Sequence, residues 1–207
     1  TLWYLYRDKL LPTNTTFIGF ARTQQSIESV KEKCLKYMKV RPFEEEAFSV
    51  FWNHNTYMAG AYDKRQDFEF LNQEISKHEK GLVSNRLFYL ALPPSVFEEA
   101  TVNIRNACTG IKGWTRVIIE KPFGRDAASS QKLSNHLAGL FREDQLYRID
   151  HYLGKEMVQN LMSIRFGNRI FVPSWNRENI ASILISFKEP FGTEGRGGYF
   201  DDFGIIR

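Results

Sequence analysis

The stretch Leu87-Phe-Tyr-Leu-Ala-Leu92 is an unbroken apolar run of strand length, and Pro93 and Pro94 close it. Runs of this kind are typical of strands that are buried on both faces of a parallel sheet. The shorter run Val117-Ile-Ile119, which lies just before Pro122, has the same character. Together these segments predict a core of parallel strands that is covered by helices.

Segments with strand patterns alternate along the chain with segments in which apolar residues recur at helical spacing. This alternation indicates βαβ units and an α/β fold with a Rossmann-like parallel sheet. Such folds normally open with a strand and a glycine-rich turn. The chain has no such turn near its start, so we expect the sheet to lack its first βα unit. Strands are predicted at 17–21, 57–59, 87–92, 117–119 and 145–149, and helices at 26–38, 43–52, 68–78, 96–108, 126–141 and 156–165.

The pattern changes at about residue 149. A predicted helix is followed by a stretch rich in Gly, Asn and Pro at 167–177, and then by apolar and polar alternation at 180–187 that predicts a strand. We therefore expect a nucleotide-binding domain over 1–148 and the start of an α+β domain over 149–207. Because the chain begins without Met and stops directly after an apolar pair, we also expect an internal fragment of a longer protein.

The composition indicates a globular chain, since 43% of the 207 residues are hydrophobic and 25% are charged. The net charge is +4, and the 28 basic residues are interspersed with 24 acidic ones, so neither nucleic acid nor a membrane is an expected partner. No apolar run approaches the roughly 18 residues of a membrane span. Cys34 and Cys108 have no metal-ligand spacing. Free thiols favour a reducing compartment, and we expect a cytoplasmic protein.

Polar residues follow the predicted strands at the edge where parallel sheets bind their ligands. Arg22 follows the first strand, Glu120 and Lys121 follow the fourth, and Asp150 and His151 follow the fifth. NAD-specific folds usually place an acid where Arg22 stands, whereas an arginine accommodates the 2′-phosphate of NADP. The alternative is an ordinary surface arginine. The Lys-Pro sequence at 121–122 also allows a cis peptide bond.

The stretch Arg148-Ile-Asp-His-Tyr-Leu-Gly-Lys155 combines the groups from which phosphate-ester sites are built. Lysine supplies a positive point charge, and histidine and tyrosine supply directed hydrogen bonds. Asp150 could instead orient a basic imidazole. A helix that started near Tyr152 would add its first amides and its positive dipole end. The simpler alternative is a helix start that carries surface charges.

Four segments resemble the glucose-6-phosphate dehydrogenase family, and they do so in the same order along the chain. The most specific is Arg148-Ile-Asp-His-Tyr-Leu-Gly-Lys-Glu-Met-Val-Gln-Asn160, and the others span 85–94, 120–126 and 187–201. The resemblance implies a dehydrogenase that oxidises glucose 6-phosphate at C1 to 6-phosphogluconolactone with NADP, the first step of the pentose phosphate pathway. It also implies a homo-oligomer for the full-length protein.

The resemblance assigns roles to individual residues. It implies that His151, Tyr152 and Lys155 surround the substrate phosphate, that Lys121 lies between cofactor and sugar, and that Glu189 binds sugar hydroxyls. It further implies that Asp150 orients a base histidine that lies beyond Arg207, so we expect the fragment alone to be inactive. The nucleotide is implied to contact residues at or after the ends of several strands, which are Arg22, Tyr62, Leu90, Leu92, Pro93, Glu120 and Lys121.

Two alternatives remain open at the level of sequence. One is another sugar dehydrogenase with a strand that ends Glu-Lys-Pro, but such enzymes need no phosphate anchor, and the group His151, Tyr152 and Lys155 argues against it. The other is a non-catalytic module that binds phosphosugars or nucleotides and has lost the base. A histidine soon after Arg207 would favour the enzyme.

Overall fold

The computed structural model describes residues 1–79, 81, 83–186, 188 and 190–204, and in these residues five strands alternate with helices. The strands are β1 (Phe17–Ala21), β2 (Asn55–Ala59), β3 (Arg86–Leu90), β4 (Thr115–Glu120) and β5 (Leu146–Ile149). The helices are α1 (Leu2–Arg7), α2 (Ile27–Leu35), α3 (Glu45–Asn53), α4 (Arg65–His78), α5 (Phe97–Ala107), α6 (Ala127–Leu140), α7 (Glu156–Gly167) and α8 (Gly197–Phe203). The first five strands of the prediction are thus confirmed, with ends that shift by a few residues.

All of the strand pairs are parallel, as the βαβ pattern predicts. β1 pairs with β2, and β3, β4 and β5 form a second sheet in that order. This division matches a Rossmann-like sheet without its first strand, because the first strand of the doubly wound order lies between the two halves. The expected α/β fold class is confirmed.

One apolar core joins the two sheets. It lies between one face of β3–β5 and the helices α4, α5 and α6, and side chains of β1 and β2 pack against it. Its most deeply buried members include Phe97, Val117, Ile119 and Leu137. A second, smaller core lies between α1 and α3 around Trp3. The packed strands therefore hold the carboxyl edge of the larger sheet in a defined position.

Helix α6 begins where the sequence predicts because Asp126 caps it. The Asp126 carboxylate accepts a hydrogen bond from the Ser129 amide at 2.8 Å, and the Ser129 hydroxyl in turn accepts a bond from the Asp126 amide at 3.0 Å. This reciprocal arrangement satisfies amides that the first helical turn leaves unpaired. The cap sets where the chain leaves the turn after β4 and enters the helix.

Burial of β3 on both faces is not observed, and this prediction is wrong for the described structure. Burial alternates along the strand, with Leu87 53% and Tyr89 52% exposed, whereas Leu90 is 5% exposed. In the described part of the chain, helices α4–α6 cover only the face that carries Leu90. The opposite face is here named the open face, and it carries Leu87, Tyr89, Glu120 and Tyr147.

The predicted strand at 180–187 is also wrong where the structure can be compared with it. Residues 180–186 have no regular structure, and residue 187 lies outside the described residues. Ile183, Leu184 and Ile185 are 75%, 94% and 73% exposed. An alternating pattern forms a strand only when a neighbour completes the ladder and covers one face, and no described strand lies beside it. The domain division at 148 and 149 stays a prediction.

Cys34 and Cys108 are free thiols, as the sequence predicts. Burial raises the pKa of Cys108 to about 12, so this thiol is not reactive near neutral pH. Among the helices that the structure describes, none combines the length and the hydropathy needed to cross a lipid bilayer.

Candidate active site

Lys121 and Asp150 meet where two neighbouring strands end. Glu120 of β4 lies beside Ile149 of β5 in the parallel register, so the residues that follow them also lie side by side. The Lys121 ammonium is 2.8 Å from Oδ2 of Asp150. Oδ1 of Asp150 accepts a hydrogen bond from the Tyr152 amide at 3.0 Å. Both carboxylate oxygens are therefore engaged, and Asp150 ties the end of β4 to the turn after β5.

These contacts keep Asp150 ionised. The hydrogen bond from Lys121 lowers the pKa of Asp150 below its ordinary value, the Tyr152 amide adds to this effect, and partial burial opposes it. The Lys121 and Asp150 side chains are 26% and 23% exposed, so solvent screens the pair in part and a ligand could reach it. The peptide bond between Lys121 and Pro122 is cis, in line with the sequence-based expectation.

The turn at 151–155 gathers the other groups expected to bind phosphate. The His151 and Tyr152 rings have centroids 4.7 Å apart. The ammonium of Lys155 lies 4.6 Å from the Tyr152 ring centroid, and that of Lys121 lies 5.9 Å from it. Aromatic rings attract cations at these distances. Lys121, Asp150, His151, Tyr152 and Lys155 are here named the strand-end cluster.

The helix that follows the cluster begins at Glu156, as the sequence predicts, so the condition of a helix start near Tyr152 is not met. Residues 151–154 form a turn, and α7 begins at Glu156 with Lys155 as its N-cap residue. The Tyr152 amide donates to Asp150, which stabilises the turn in place of a helical start. The positive end of the helix dipole is therefore nearest to Lys155 rather than to His151.

Arg22 and Tyr62 form a separate pair at the ends of β1 and β2. Ala21 lies beside Ala59 in the register, so the segments that follow these strands are neighbours. The Arg22 guanidinium carbon is 5.8 Å from the Tyr62 ring centroid. Asn103 of α5 donates to the Tyr62 carbonyl at 2.9 Å and fixes this segment against the core. This pair suits a nucleotide with a 2′-phosphate. The Arg22 guanidinium offers paired hydrogen-bond donors to the phosphate, and the Tyr62 ring offers a flat stacking surface.

The turn after β3 offers a ligand its main chain and the ring of Pro93 rather than the side chains of Leu90 and Leu92. Leu90 is 5% exposed and belongs to the core, and Leu92 packs against the same core. Pro93 is exposed and has an extended backbone conformation with φ −61° and ψ 143°. A nucleotide at this turn would therefore contact the backbone of residue 90 and the exposed ring of Pro93.

Sequence reasoning missed one polar contact at the site. The Tyr89 hydroxyl donates a short hydrogen bond to Oε1 of Glu120. Tyr89 sits inside an apolar run, and nothing along the chain indicates which residue of the neighbouring strand lies beside it. Only the register of β3 and β4 brings the two side chains onto the open face together.

Besides the bond between Tyr89 and Glu120, the described contacts form two groups, the pair Arg22 and Tyr62 and the strand-end cluster. That both groups line one cleft stays a prediction. Glu189, which the family resemblance assigns to the sugar hydroxyls, lies outside the described residues.

A Rossmann-like sheet with polar groups at its carboxyl edge defines the chain as part of a dinucleotide-binding α/β protein. The family model for the NAD binding domain of glucose-6-phosphate dehydrogenase matches residues 1–160, and the model for the C-terminal domain of the same family matches residues 162–207. The chain belongs to the glucose-6-phosphate dehydrogenase family.

Individual relatives agree over the whole chain. Glucose-6-phosphate 1-dehydrogenase of Drosophila melanogaster is 67% identical over 207 residues, which is 100% of this chain and 40% of that protein. The corresponding protein of Takifugu rubripes is 56% identical over 207 residues, which is 100% of this chain and 39% of that protein. The chain thus spans about two fifths of the length of these curated relatives.

A solved structure also matches the full chain. It is a glucose-6-phosphate dehydrogenase in complex with its substrate glucose 6-phosphate, with a TM-score of 0.85 and 46% sequence identity over 100% of this chain and 44% of the solved chain. This level of similarity supports a common arrangement of the strands that carry the strand-end cluster.

Proposed function

We propose that the protein to which this chain belongs oxidises glucose 6-phosphate at C1 to 6-phosphogluconolactone, with NADP as the hydride acceptor, as the first step of the pentose phosphate pathway. The ion pair of 2.8 Å between Lys121 and Asp150 carries this proposal. Asp150 is a carboxylate suited to orient a base, and it also accepts a hydrogen bond from the Tyr152 amide in the turn that holds His151 and Lys155. Catalytic and phosphate-binding groups are thereby connected through a single side chain.

The phosphate group of the substrate would bind to the turn after β5. Lys155 supplies a full positive charge, and His151 and Tyr152 supply hydrogen bonds of defined direction. Because Lys155 is also the N-cap residue of α7, the helix dipole adds positive potential at the same place. This arrangement favours a phosphorylated sugar over the free sugar.

Asp150 and Lys121 would act at the reacting end of the sugar. The family resemblance implies that the base is a histidine beyond Arg207, which takes the proton of the C1 hydroxyl. An ionised Asp150 holds such an imidazole in the required tautomer and stabilises the imidazolium that forms. Lys121 would hold substrate oxygens, and Glu189 would accept hydrogen bonds from the sugar hydroxyls. The role of these residues is alignment of the reacting atoms.

The nucleotide would bind along the carboxyl edge. Arg22 would pair with the 2′-phosphate and Tyr62 would lie beside it, while the backbone of residues 90–93, with Leu90, Leu92 and Pro93, would line the path to Glu120 and Lys121. NADP, when bound, supplies the hydride acceptor. We further propose a cytoplasmic protein that binds neither nucleic acid nor membrane, in line with the composition of the chain. The family resemblance implies that the full-length protein is a homo-oligomer.

Replacement of Lys155 tests the phosphate site in the full-length protein. Lys155→Ala should raise KM for glucose 6-phosphate roughly tenfold or more, because a charged hydrogen bond to phosphate contributes about 1.5–3 kcal/mol. Activity with unphosphorylated glucose should change little. Steady-state kinetics with both sugars measures this difference.

Lys132→Ala is the matched control, since Lys132 is an exposed lysine of α6 that pairs with Glu98 at 3.1 Å, apart from the strand-end cluster. It should behave as the wild type on both sugars. If Lys155→Ala lost the same factor with glucose as with glucose 6-phosphate, Lys155 would not be the phosphate anchor. A wild-type protein with no turnover of glucose 6-phosphate would overturn the proposed function itself.

A further inference from the structure

Tyr89 and Glu120 form a hydroxyl–carboxylate pair on the open face, next to the strand-end cluster. In the parallel register Tyr89 of β3 lies beside Ile118 of β4, so Glu120 is the next residue along β4 that points to the same face. The Tyr89 hydroxyl donates to Oε1 of Glu120. The contact therefore follows from the pairing of two strands that the core holds in place.

Glu120 is the last residue of β4 and directly precedes Lys121, so the orientation of its carboxylate affects what a ligand at the strand end meets. Side chains alternate between the two faces of a strand, so Glu120 points to the open face while Lys121 turns towards Asp150. Glutamate has three rotatable side-chain bonds, and an unpaired carboxylate at a strand end would sample several rotamers. The bond from Tyr89 selects the rotamers that bring Oε1 to the hydroxyl, and Oε2, which accepts no bond from a described residue, can accept one from a ligand.

We propose that Tyr89 is a positioning residue, which holds the Glu120 carboxylate in the orientation that favours the oxidised nicotinamide ring of the cofactor. This inference rests on the proposed function, in which Glu120 contacts the nucleotide. The oxidised ring carries a positive charge and the reduced ring is neutral. A carboxylate held in place therefore attracts the oxidised form more strongly, and a rotating carboxylate does so less.

The state of the Tyr89 hydroxyl is consistent with this role. Loss of water contact and then the hydrogen bond to Glu120 raise the pKa of Tyr89 to about 12, so the phenol keeps its proton and remains a donor across the physiological range. The side chain is still 52% exposed, and an exposed hydrogen bond of this kind contributes little to folding. Its effect should therefore be seen in ligand binding rather than in stability.

Binding of the two cofactor forms to the full-length protein tests the inference without reliance on turnover. By isothermal titration calorimetry, Tyr89→Phe should raise the dissociation constant of NADP⁺ roughly threefold to tenfold, the range of one hydrogen bond that orients a charged group. The dissociation constant of NADPH should change less than about twofold, because the neutral ring gains little from the carboxylate. Tyr147→Phe, which removes a hydroxyl from the same face of β5, should bind both forms as the wild type does.

A double-mutant cycle shows whether Tyr89 acts through Glu120. The variant that combines Tyr89→Phe with Glu120→Gln should bind NADP⁺ no more weakly than Glu120→Gln alone. Fully additive losses, or wild-type NADP⁺ affinity in Tyr89→Phe, would overturn the inference while the proposed function stood. If the wild-type protein bound neither form of the cofactor, the proposed function and the inference would both fall.

Discussion

Residues 1–149 and residues 150–204 differ in how they bury their apolar side chains. The buried apolar residues that the structure describes all lie in the first region, in two cores formed by sheets and helices. The second region has helices and many apolar residues, yet Met157, Met162 and Phe166 of α7 are 76%, 62% and 63% exposed. Apolar composition is therefore not enough to form a core, because a helix buries its apolar side only against a second layer.

The strand-end cluster lies on the border between these two regions. Lys121 directly follows β4 of the packed sheet, whereas Lys155 is the N-cap residue of the exposed helix α7. Asp150 bridges them, with one oxygen bound to Lys121 and the other to the Tyr152 amide. The spacing of the groups expected to bind substrate therefore depends on one carboxylate more than on the packing of α7.

Removal of a phenyl ring from each region should give the largest difference in the free energy of unfolding between the two regions. Phe97 is 1% exposed, and Phe97→Ala should lower the free energy of unfolding of the 207-residue chain by about 3–5 kcal/mol, because it leaves a cavity in the core. Phe166→Ala should cost less than about 1 kcal/mol, since its ring contacts solvent and the Arg165 guanidinium. Urea unfolding followed by far-UV circular dichroism measures both. Equal losses would mean that α7 packs in a core of its own.

Replacement of the arginine in each of two arginine–carboxylate pairs should give a second, smaller difference in the free energy of unfolding. Arg86 makes two bonds to Glu79 at 2.7 and 2.8 Å and is 7% exposed, whereas Arg125 pairs with Asp202 at 2.9 Å near the surface. Arg86→Met should destabilise the chain by about 3 kcal/mol, because it leaves Glu79 and the side-chain oxygen of Asn72 without their donor. Arg125→Met should cost about 0–1 kcal/mol.

Thermal and urea unfolding of the same two variants provide the measurement, with the wild-type chain as reference. A large loss in Arg125→Met would show that α8 is held firmly against the first region, and the distinction between the two regions would weaken. A loss near zero in Arg86→Met would mean that the buried pair is dispensable.

The smallest expected effect is a change in the pKa of Asp150, the carboxylate that lies between the two regions. Lys121→Met should raise the pKa of Asp150 towards its ordinary value of 3.8, because the hydrogen bond from Lys121 is the main cause of its lowered pKa. A lowered pKa in the folded state means that ionised Asp150 stabilises the fold above the unfolded-state value, and that this stability is lost as the pH falls through the folded-state value. The acid limb of the stability curve should therefore flatten in the variant.

Carbon-detected NMR titration of the Asp150 carboxyl follows this pKa directly. Lys155→Met serves as the control, because the Lys155 ammonium contacts the Tyr152 ring rather than Asp150. An unchanged Asp150 pKa in Lys121→Met would mean that the pair does not persist in solution.

Local order along the chain was readable from the sequence. The apolar runs predicted the strands, and the helical spacing predicted the helices, including a start of α6 near residue 126, because each signal depends on residues close to one another in the chain. The parallel arrangement placed Lys121 and Asp150 at one edge, since the carboxyl ends of parallel strands coincide. The sequence also showed which kinds of side chain, charged and aromatic, make up the candidate site.

Pairings between elements were decided by tertiary structure. The register of β3 and β4 brings Tyr89 to Glu120. The exposure of the open face and the absence of a strand over 180–186 likewise depend on which elements pack nearby. Among the described residues, no element covers the open face and no strand lies beside 180–186. A periodic pattern states which side of an element prefers burial, but the free energy of burial is gained only when a second surface removes that side from water.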